Sequence, residues 1–127
     1  MLSRSRPRRY SKRIYVDVNV LYYYLTAHPQ FGEQARSYIA SWSAASSLTV
    51  WLLYVLTKLE NATLILEEVG VELAPLTASI LRRAEKLEKP RDLEDRIHVA
   101  TMLELGIDTI LSNDRDFDSV KGIRRVF

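Results

Sequence analysis

Four aspartates, Asp17, Asp95, Asp114 and Asp116, offer most of the chemistry in this sequence. Each stands where one element would give way to the next. Asp17 closes the short β-branched stretch Arg13-Ile14-Tyr15-Val16-Asp17-Val18-Asn19. Asp95 lies in the first turn of an apolar stretch of helical length, where carboxylates complement the positive end of the helix dipole. Asp114 and Asp116 follow the strand-like Thr109-Ile110-Leu111, within the turn-rich Ser112-Asn113-Asp114-Arg115-Asp116-Phe117-Asp118. Acids at the carboxyl ends of strands lie where open α/β sheets bind their ligands. If the two strands are parallel neighbours, Asp17 and Asp114 leave the sheet on one edge, with Asp95 beside them. Gathered carboxylates repel, and isolated buried charge is very costly, so the group needs shared protons or a cation. With oxygen ligands only and no cysteine in the chain, the cation expected is Mg²⁺ or Mn²⁺.

Each candidate also has a purely structural reading. Asp17 also suits a helix cap, Asp95 a partner of the helix dipole and Asp114 an ordinary turn residue, though the site is favoured for these three, for Asp17 by its apolar setting; Asp116 suits a turn as well as a site. Asp92 reads as an N-cap and His98 as a packed or exposed helix histidine. Arg115 is either a phosphate contact or a solvated loop residue. Arg82, Arg83 and Lys86 read as a solvated helix face. Tyr22, Tyr23, Tyr24 and Trp51 suit core or dimer packing better than stacking on bases.

The elements that must position these acids follow from periodicity and punctuation. Residues 1–12 read as a basic, disordered arm, and 13–127 as one domain. A strand is expected over Ile14–Val18, then a helix over Val20–Thr26 capped by Asn19. A second helix is expected over Gly32–Ala44, and a small-polar turn over Ser41–Ser47. Leu48–Glu60 is apolar and long enough for a buried helix, with a further helical piece over Leu64–Val69. A short strand over Val71–Leu73 precedes a helix over Thr77–Lys89, stopped by Pro90. The acid-led helix then runs from Asp92 to Gly106, a natural C-cap. Thr109–Leu111 and Gly122–Phe127 supply the last strands. Strands alternating with helices predict a mainly parallel sheet with helices on both faces.

Composition narrows the function classes. The chain has 127 residues, 47% of them hydrophobic and 27% charged, which suits a soluble globular domain. Zero cysteines exclude disulfides, thiolate zinc sites and cysteine nucleophiles, and are compatible with a reducing cytoplasm. No apolar run approaches the ~20 residues of a spanning helix. No Gly-rich phosphate loop, Ser-His-Asp set or zinc pattern competes with the aspartates. The net charge of +2 is unevenly spread: residues 1–13 hold six of the 18 Lys and Arg and no acid, which leaves the remainder at −4. A basic arm on an acidic body suits contact with phosphates or an acidic partner, or a solubilising tail.

Three segments together resemble the PIN domain, in particular the VapC-type toxins of prokaryotic toxin–antitoxin pairs. Val16-Asp17-Val18-Asn19-Val20-Leu21 is similar to the family's opening D-x-N-V-L. Asp95-Arg96-Ile97-His98-Val99-Ala100-Thr101 is similar to its D-A-x-x-x-A-T helix start, with Arg96 in place of a small residue. Ser112-Asn113-Asp114-Arg115-Asp116-Phe117 is similar to its [TS]-x-D-x-D-F loop. The resemblance implies a three-layer α/β/α sandwich around a parallel sheet of four or five strands, and a metal-dependent endoribonuclease neutralised by a cognate antitoxin. By this resemblance Asp17, Asp95 and Asp114 match metal-binding carboxylates and Asp116 a fourth acid. Asn19 and Ser112 match polar residues that support the carboxylates or a metal-bound water. It further implies a homodimer, with Leu48–Leu66 as candidate interface and antitoxin groove. One departure is Leu52, which stands where the family carries an acid, usually Glu; Glu60 lies about two turns away, roughly 12 Å along a helix. Leu52 motivates an alternative, a catalytically decayed PIN-fold module that binds RNA or protein, and a phosphatase-like acid-cluster hydrolase is a third reading.

Overall fold

A computed structural model describes residues 12–47 and 61–127. The expected helix over Leu48–Glu60, with Trp51, Leu52 and Glu60, and the basic arm before Lys12 lie outside the described residues. In chain order the elements are β1 (Arg13–Val16), α1 (Val18–Leu25), α2 (Gly32–Ser41), β2 (Ser43–Ser47), α3 (Ala62–Glu68), β3 (Glu72–Ala74), α4 (Ala78–Lys86), α5 (Leu93–Leu105), β4 (Thr109–Leu111), a 3-10 helix (Arg115–Ser119) and β5 (Arg124–Val126). The five strands form one sheet in the order β3-β2-β1-β4-β5, and every pairing is parallel.

Alternation along the strands creates the layers, because successive side chains point to opposite faces. Ile14, Val16, Ala44 and Leu111 pack on one face with Val20 and Leu21 of α1, Ala35 and Ile39 of α2 and Leu66 of α3. Tyr15, Ala45 and Ile110 point the other way, onto Val99 and Met102 of α5 and onto Phe117. Beyond them, Ile80 and Ala84 of α4 pack on Ile97 and Ala100 of α5. The result is the α/β/α sandwich that the alternating pattern implied.

The main error of the sequence reading is Ser41–Ser47. Ser43-Ala44-Ala45-Ser46-Ser47 is no turn but β2, paired to β1 on one side and β3 on the other. Its residues lack the β-branching that marks strands, so local propensity pointed away from a sheet. What decides its state is tertiary: helices cover both faces, and Ala44, Ala45, Ser46 and Ser47 are all buried. Its hydroxyls are partly satisfied inside the sheet, since Ser46 Oγ donates to the Val16 carbonyl at 2.7 Å. Other expected bounds shift by one to three residues, the second helix ending at Ser41 rather than Ala44. The first helix starts at Val18, with Asp17 rather than Asn19 as its N-cap, and β1 therefore ends at Val16. The helix predicted to run to Lys89 ends at Lys86, and its cap is Thr77, whose side chain accepts from the Ile80 amide at 3.1 Å.

The smallness of β2 makes a test. Ala45 is fully buried in the Tyr15–Val99–Met102 cluster. Ala45→Leu would force extra carbons into that close-packed layer, and is expected to cost about 1–3 kcal/mol in urea unfolding; an unchanged midpoint would show that the layer has spare volume.

Candidate metal centre

The site forms where the strand order reverses, between β1 and β4, the position at which open α/β sheets bind ligands. Tyr15 pairs with Ile110 and Val16 with Leu111, so both strands end level. The Asp17 amide donates to the Leu111 carbonyl at 3.0 Å, carrying the ladder one residue further. Asp17 then turns the chain into α1: its Oδ1 accepts from the Val18 amide at 2.7 Å. The cap reading and the site reading of this residue are thus compatible, because one carboxylate oxygen performs the cap while the group stays at the sheet edge.

On the neighbouring strand, Ser112 ties the two halves together. Its Oγ donates to Asp17 Oδ2 at 2.6 Å and accepts from the Asp114 amide at 3.0 Å. Asp114 caps the 3-10 helix by accepting from the Asp116 amide at 2.9 Å. Arg125 on β5 anchors the same loop from behind, donating to the Ser112 carbonyl at 3.1 Å and gripping the Asp118 carboxylate with two nitrogens at 2.9 and 3.2 Å. That pair holds the Asp118 carboxyl below its usual range.

Helix α5 brings the third segment. Asp92 occupies its N-cap position, but the side chain makes no capping bond. Asp95, Asp114 and Asp116 each offer a carboxylate oxygen such that all three lie within 4.8 Å of one another. Asp17 stands outside that closest group yet close enough to act on it. Burial, then the charges of Asp17, Asp114, Asp92 and Asp116, raise the Asp95 carboxyl to about 7. Below about pH 7 the group therefore relieves its repulsion, when no cation is bound, through a proton on Asp95.

Asn19 lies in the first turn of α1, two residues after Asp17, and Ser112 contacts Asp17 directly. Asn19 Oδ1 is buried and has no hydrogen-bond partner among the described residues. An orphaned amide oxygen and a set of converging carboxylates are hard oxygen donors, and such a set fits a divalent cation of the Mg²⁺ or Mn²⁺ kind.

His98 and Tyr15 are the residues whose part the sequence reading did not see. His98 is indeed packed, at 2% exposure, but it is packed against the site. Its Nε2 faces Asp17 Oδ1 at 3.4 Å, and its Nδ1 lies 2.6 Å from the Tyr15 hydroxyl. Burial lowers the His98 pKa, against the opposing pull of Asp17 and Glu94, and so favours the neutral ring. Burial, and secondarily Asp17, pushes the Tyr15 phenol well above its ordinary range, so it keeps its proton. The assignment that suits both neighbours has Tyr15 donating to Nδ1 and the ring proton on Nε2, the nitrogen nearer Asp17. The available signal was spacing: His98 sits three residues after Asp95 on one helix face, and Tyr15 two before Asp17 on one face of the strand.

The raised Asp95 carboxyl has a sign that can be checked. Its folded pKa exceeds the ordinary carboxylate value, so the folded state binds the proton more tightly than the unfolded chain. The metal-free protein therefore loses stability as pH rises from about 4 to about 7, and the loss is complete above that. Asp95→Asn removes this cost. In a chelator at pH 8 the variant is expected to melt above the wild type by an amount on the order of 1 kcal/mol, after allowing for half-exposure to water. The difference should vanish near pH 4, and a variant less stable than wild type at pH 8 would contradict it.

Comparison with known proteins agrees with this architecture. Among solved structures, a toxin–antitoxin complex from Klebsiella pneumoniae contains a chain similar at a TM-score of 0.70 and 19% identity, over 90% of this chain and 96% of that one. A sarcin-ricin-loop-cleaving VapC toxin from Mycobacterium tuberculosis is similar at 0.66 and 19% identity, over 84% and 93%. A VapBC protein from Rickettsia felis, solved bound to a DNA fragment from its promoter, is similar at 0.63 and 12% identity, over 90% and 97%. No curated protein matches significantly in sequence. The family model of the PIN domain matches residues 14–123, a span that contains every one of the aspartates above, and the chain belongs to the PIN domain family.

Proposed function

We propose that the chain is a divalent-metal-dependent endoribonuclease that hydrolyses RNA phosphodiester bonds, acting as the toxin of a VapBC-type pair. The observation that carries this reading is the convergence of Asp95, Asp114 and Asp116 at the reversal of strand order, with Asp17 alongside. Asp95, Asp114 and Asp116 would hold Mg²⁺ or Mn²⁺, with Asp17 as the further ligand that the family resemblance assigns. The bound ion supplies Lewis-acid polarisation of the phosphate and lowers the pKa of a water.

The chain's own residues provide the rest. Ser112 and the Val18 amide fix the orientation of the Asp17 carboxylate. His98, held by Tyr15, places its Nε2 3.4 Å from the same carboxylate. Asn19 Oδ1, buried and unspent, can accept from a water held at the centre. Phe117 seals the inner side, fully buried beneath the loop that carries Asp114 and Asp116.

A partner surface is proposed on α3. The candidate interface Leu48–Leu66 lies mostly outside the described residues. Its described end, however, leaves Leu64 and Ile65 exposed, and Val69 adds a third exposed apolar side chain just past α3. Such a patch suits a homodimer contact or a cognate antitoxin. Among the described residues no helix is long and apolar enough to cross a membrane, in keeping with a cytoplasmic toxin. The second reading, a decayed PIN-fold binding module, is favoured by one feature of the sequence, Leu52 in place of the family acid.

Titration calorimetry with Mn²⁺ separates the two without needing the right RNA. Micromolar to sub-millimolar binding, lost in Asp95→Asn or Asp17→Asn, supports the nuclease; no binding in the wild type favours the module. A graded result is expected from the buried pair. His98→Leu and Tyr15→Phe should weaken Mn²⁺ binding by about ten- to a hundredfold, the usual effect of removing a residue that orients a ligand. His98→Gln, which retains a donor near the Nε2 position, should recover part of it. Unchanged affinity in His98→Leu would confine that histidine to packing.

A further inference from the structure

Beside the acid group lies a hollow of about 520 Å³, lined by Glu88, Lys89, Arg91, Arg115, Asp116 and Ser119. Asp116 belongs to both, so the hollow and the acids share an edge. The hollow brings together three cations and two acids, on a body whose charge beyond residue 13 is −4. The cations are also unspent. Arg13, Arg36, Arg83 and Arg125 are engaged in ion pairs. Among the described residues, Lys89, Arg91 and Arg115 make no side-chain ion pair or hydrogen bond. Arg115 acts on Asp118 only through its charge, so the donors of all three cations are free for an anion outside the chain.

The loop that carries two of them is tied down by the residue that departs from the family pattern. Arg96 Nε donates to the Ala84 carbonyl at 3.1 Å, near the end of α4. One of its terminal nitrogens donates to the carbonyls of Pro90, at 3.3 Å, and Arg91. Arg96 is the neighbour of Asp95 in the first turns of α5, so one side chain fixes the loop bearing Lys89 and Arg91 relative to the acid group. A guanidinium suits this task, since its rigid fork of donors can serve several carbonyls at once.

We propose that this hollow is a phosphate subsite for the backbone of single-stranded RNA. In it Lys89, Arg91 and Arg115 neutralise phosphate next to the one at the acid group, and Arg96 is the positioning residue that holds the loop in register. The proposal rests on the ribonuclease reading and names where its substrate's backbone lies. Contacts of this kind carry affinity rather than sequence choice, and they make binding depend on salt.

The test is fluorescence anisotropy with a labelled, mixed-sequence single-stranded RNA and the full chain in EDTA, so that nothing is cleaved, over a series of salt concentrations. Lys89→Ala/Arg91→Ala is expected to bind about tenfold more weakly, with the log–log salt slope flattened by about 1.4, or about 0.7 for each lost contact. Arg115→Ala should flatten it by about 0.7. The control pair Arg82→Ala/Lys86→Ala, which removes the same charge from the outer face of α4, should leave affinity and slope as in the wild type. Arg96→Ala should also flatten the slope, because its loop no longer presents both cations, whereas a purely structural arginine would change only the melting temperature. The subsite is overturned if Lys89→Ala/Arg91→Ala matches the wild type, if the control pair loses as much affinity, or if the wild type shows no RNA affinity in EDTA. Mn²⁺ calorimetry on Lys89→Ala/Arg91→Ala separates this outcome from the metal reading: retained Mn²⁺ binding with lost RNA affinity supports the subsite, and joint loss overturns it. A wild type that binds RNA but no Mn²⁺ refutes the metal reading alone.

Discussion

The parallel pairing of β1 with β4 is the constraint on which the rest depends. Two strands in register stand about 4.8 Å apart, and their ends cannot drift. Asp17 follows one and Ser112-Asn113-Asp114 follows the other, so the sheet brings the two acid-bearing ends level and Ser112 joins them. The acids gathered at that edge repel one another. The repulsion is relieved by protonating Asp95 or by admitting a cation. Everything around the site serves that compression: Ser112 bridges the two strand ends, Arg125 braces the loop, and Phe117 fills the space below it.

The arrangement distributes tasks between the two faces of the sheet. The α1–α3 face is apolar and provides most of the aliphatic packing, through residues such as Val20, Leu21 and Leu66. The α5 face must be apolar and also hold a polar line from Tyr15 through His98 to Asp17. Its members are buried and partnered, which is the condition under which a polar group in a core costs little. The same line joins the middle of the sheet to the site edge, so the orientation of Asp17 is set from inside the protein as well as from the loop.

Much of this was legible in the sequence, for physical reasons that differ from residue to residue. The acid-led helix and its end at Gly106 were readable because capping and dipole preferences are local, and Gly106 does adopt the left-handed conformation, at φ 71°. The strands β1 and β4 were readable as β-branched runs ending in acids, while their parallel pairing, posed only as a condition, is supplied by the structure. β2 was illegible because its state is decided by what covers it and not by what Ser and Ala prefer alone. His98 was readable as a packed helix residue but its pairing was not, since its partner Tyr15 lies 83 residues away in sequence. The first helix was placed two residues late because Asn19 looked like a cap, while Asp17 performs that task and remains at the site.

Arg96 carries a consequence for how such domains are recognised. The second position of the helix motif is small in the family pattern, and a filter built on that pattern would count the arginine against this chain. Here the side chain leaves the helix, stays out of the acid group and supplies donors to carbonyls that a loop would otherwise present to water. In this chain the position answers the carbonyls of the neighbouring backbone and not the acid group itself. The arginine thus couples the first turns of α5 to the loop of Lys89 and Arg91, so a shortened or rebuilt loop would leave its guanidinium without the carbonyls it serves.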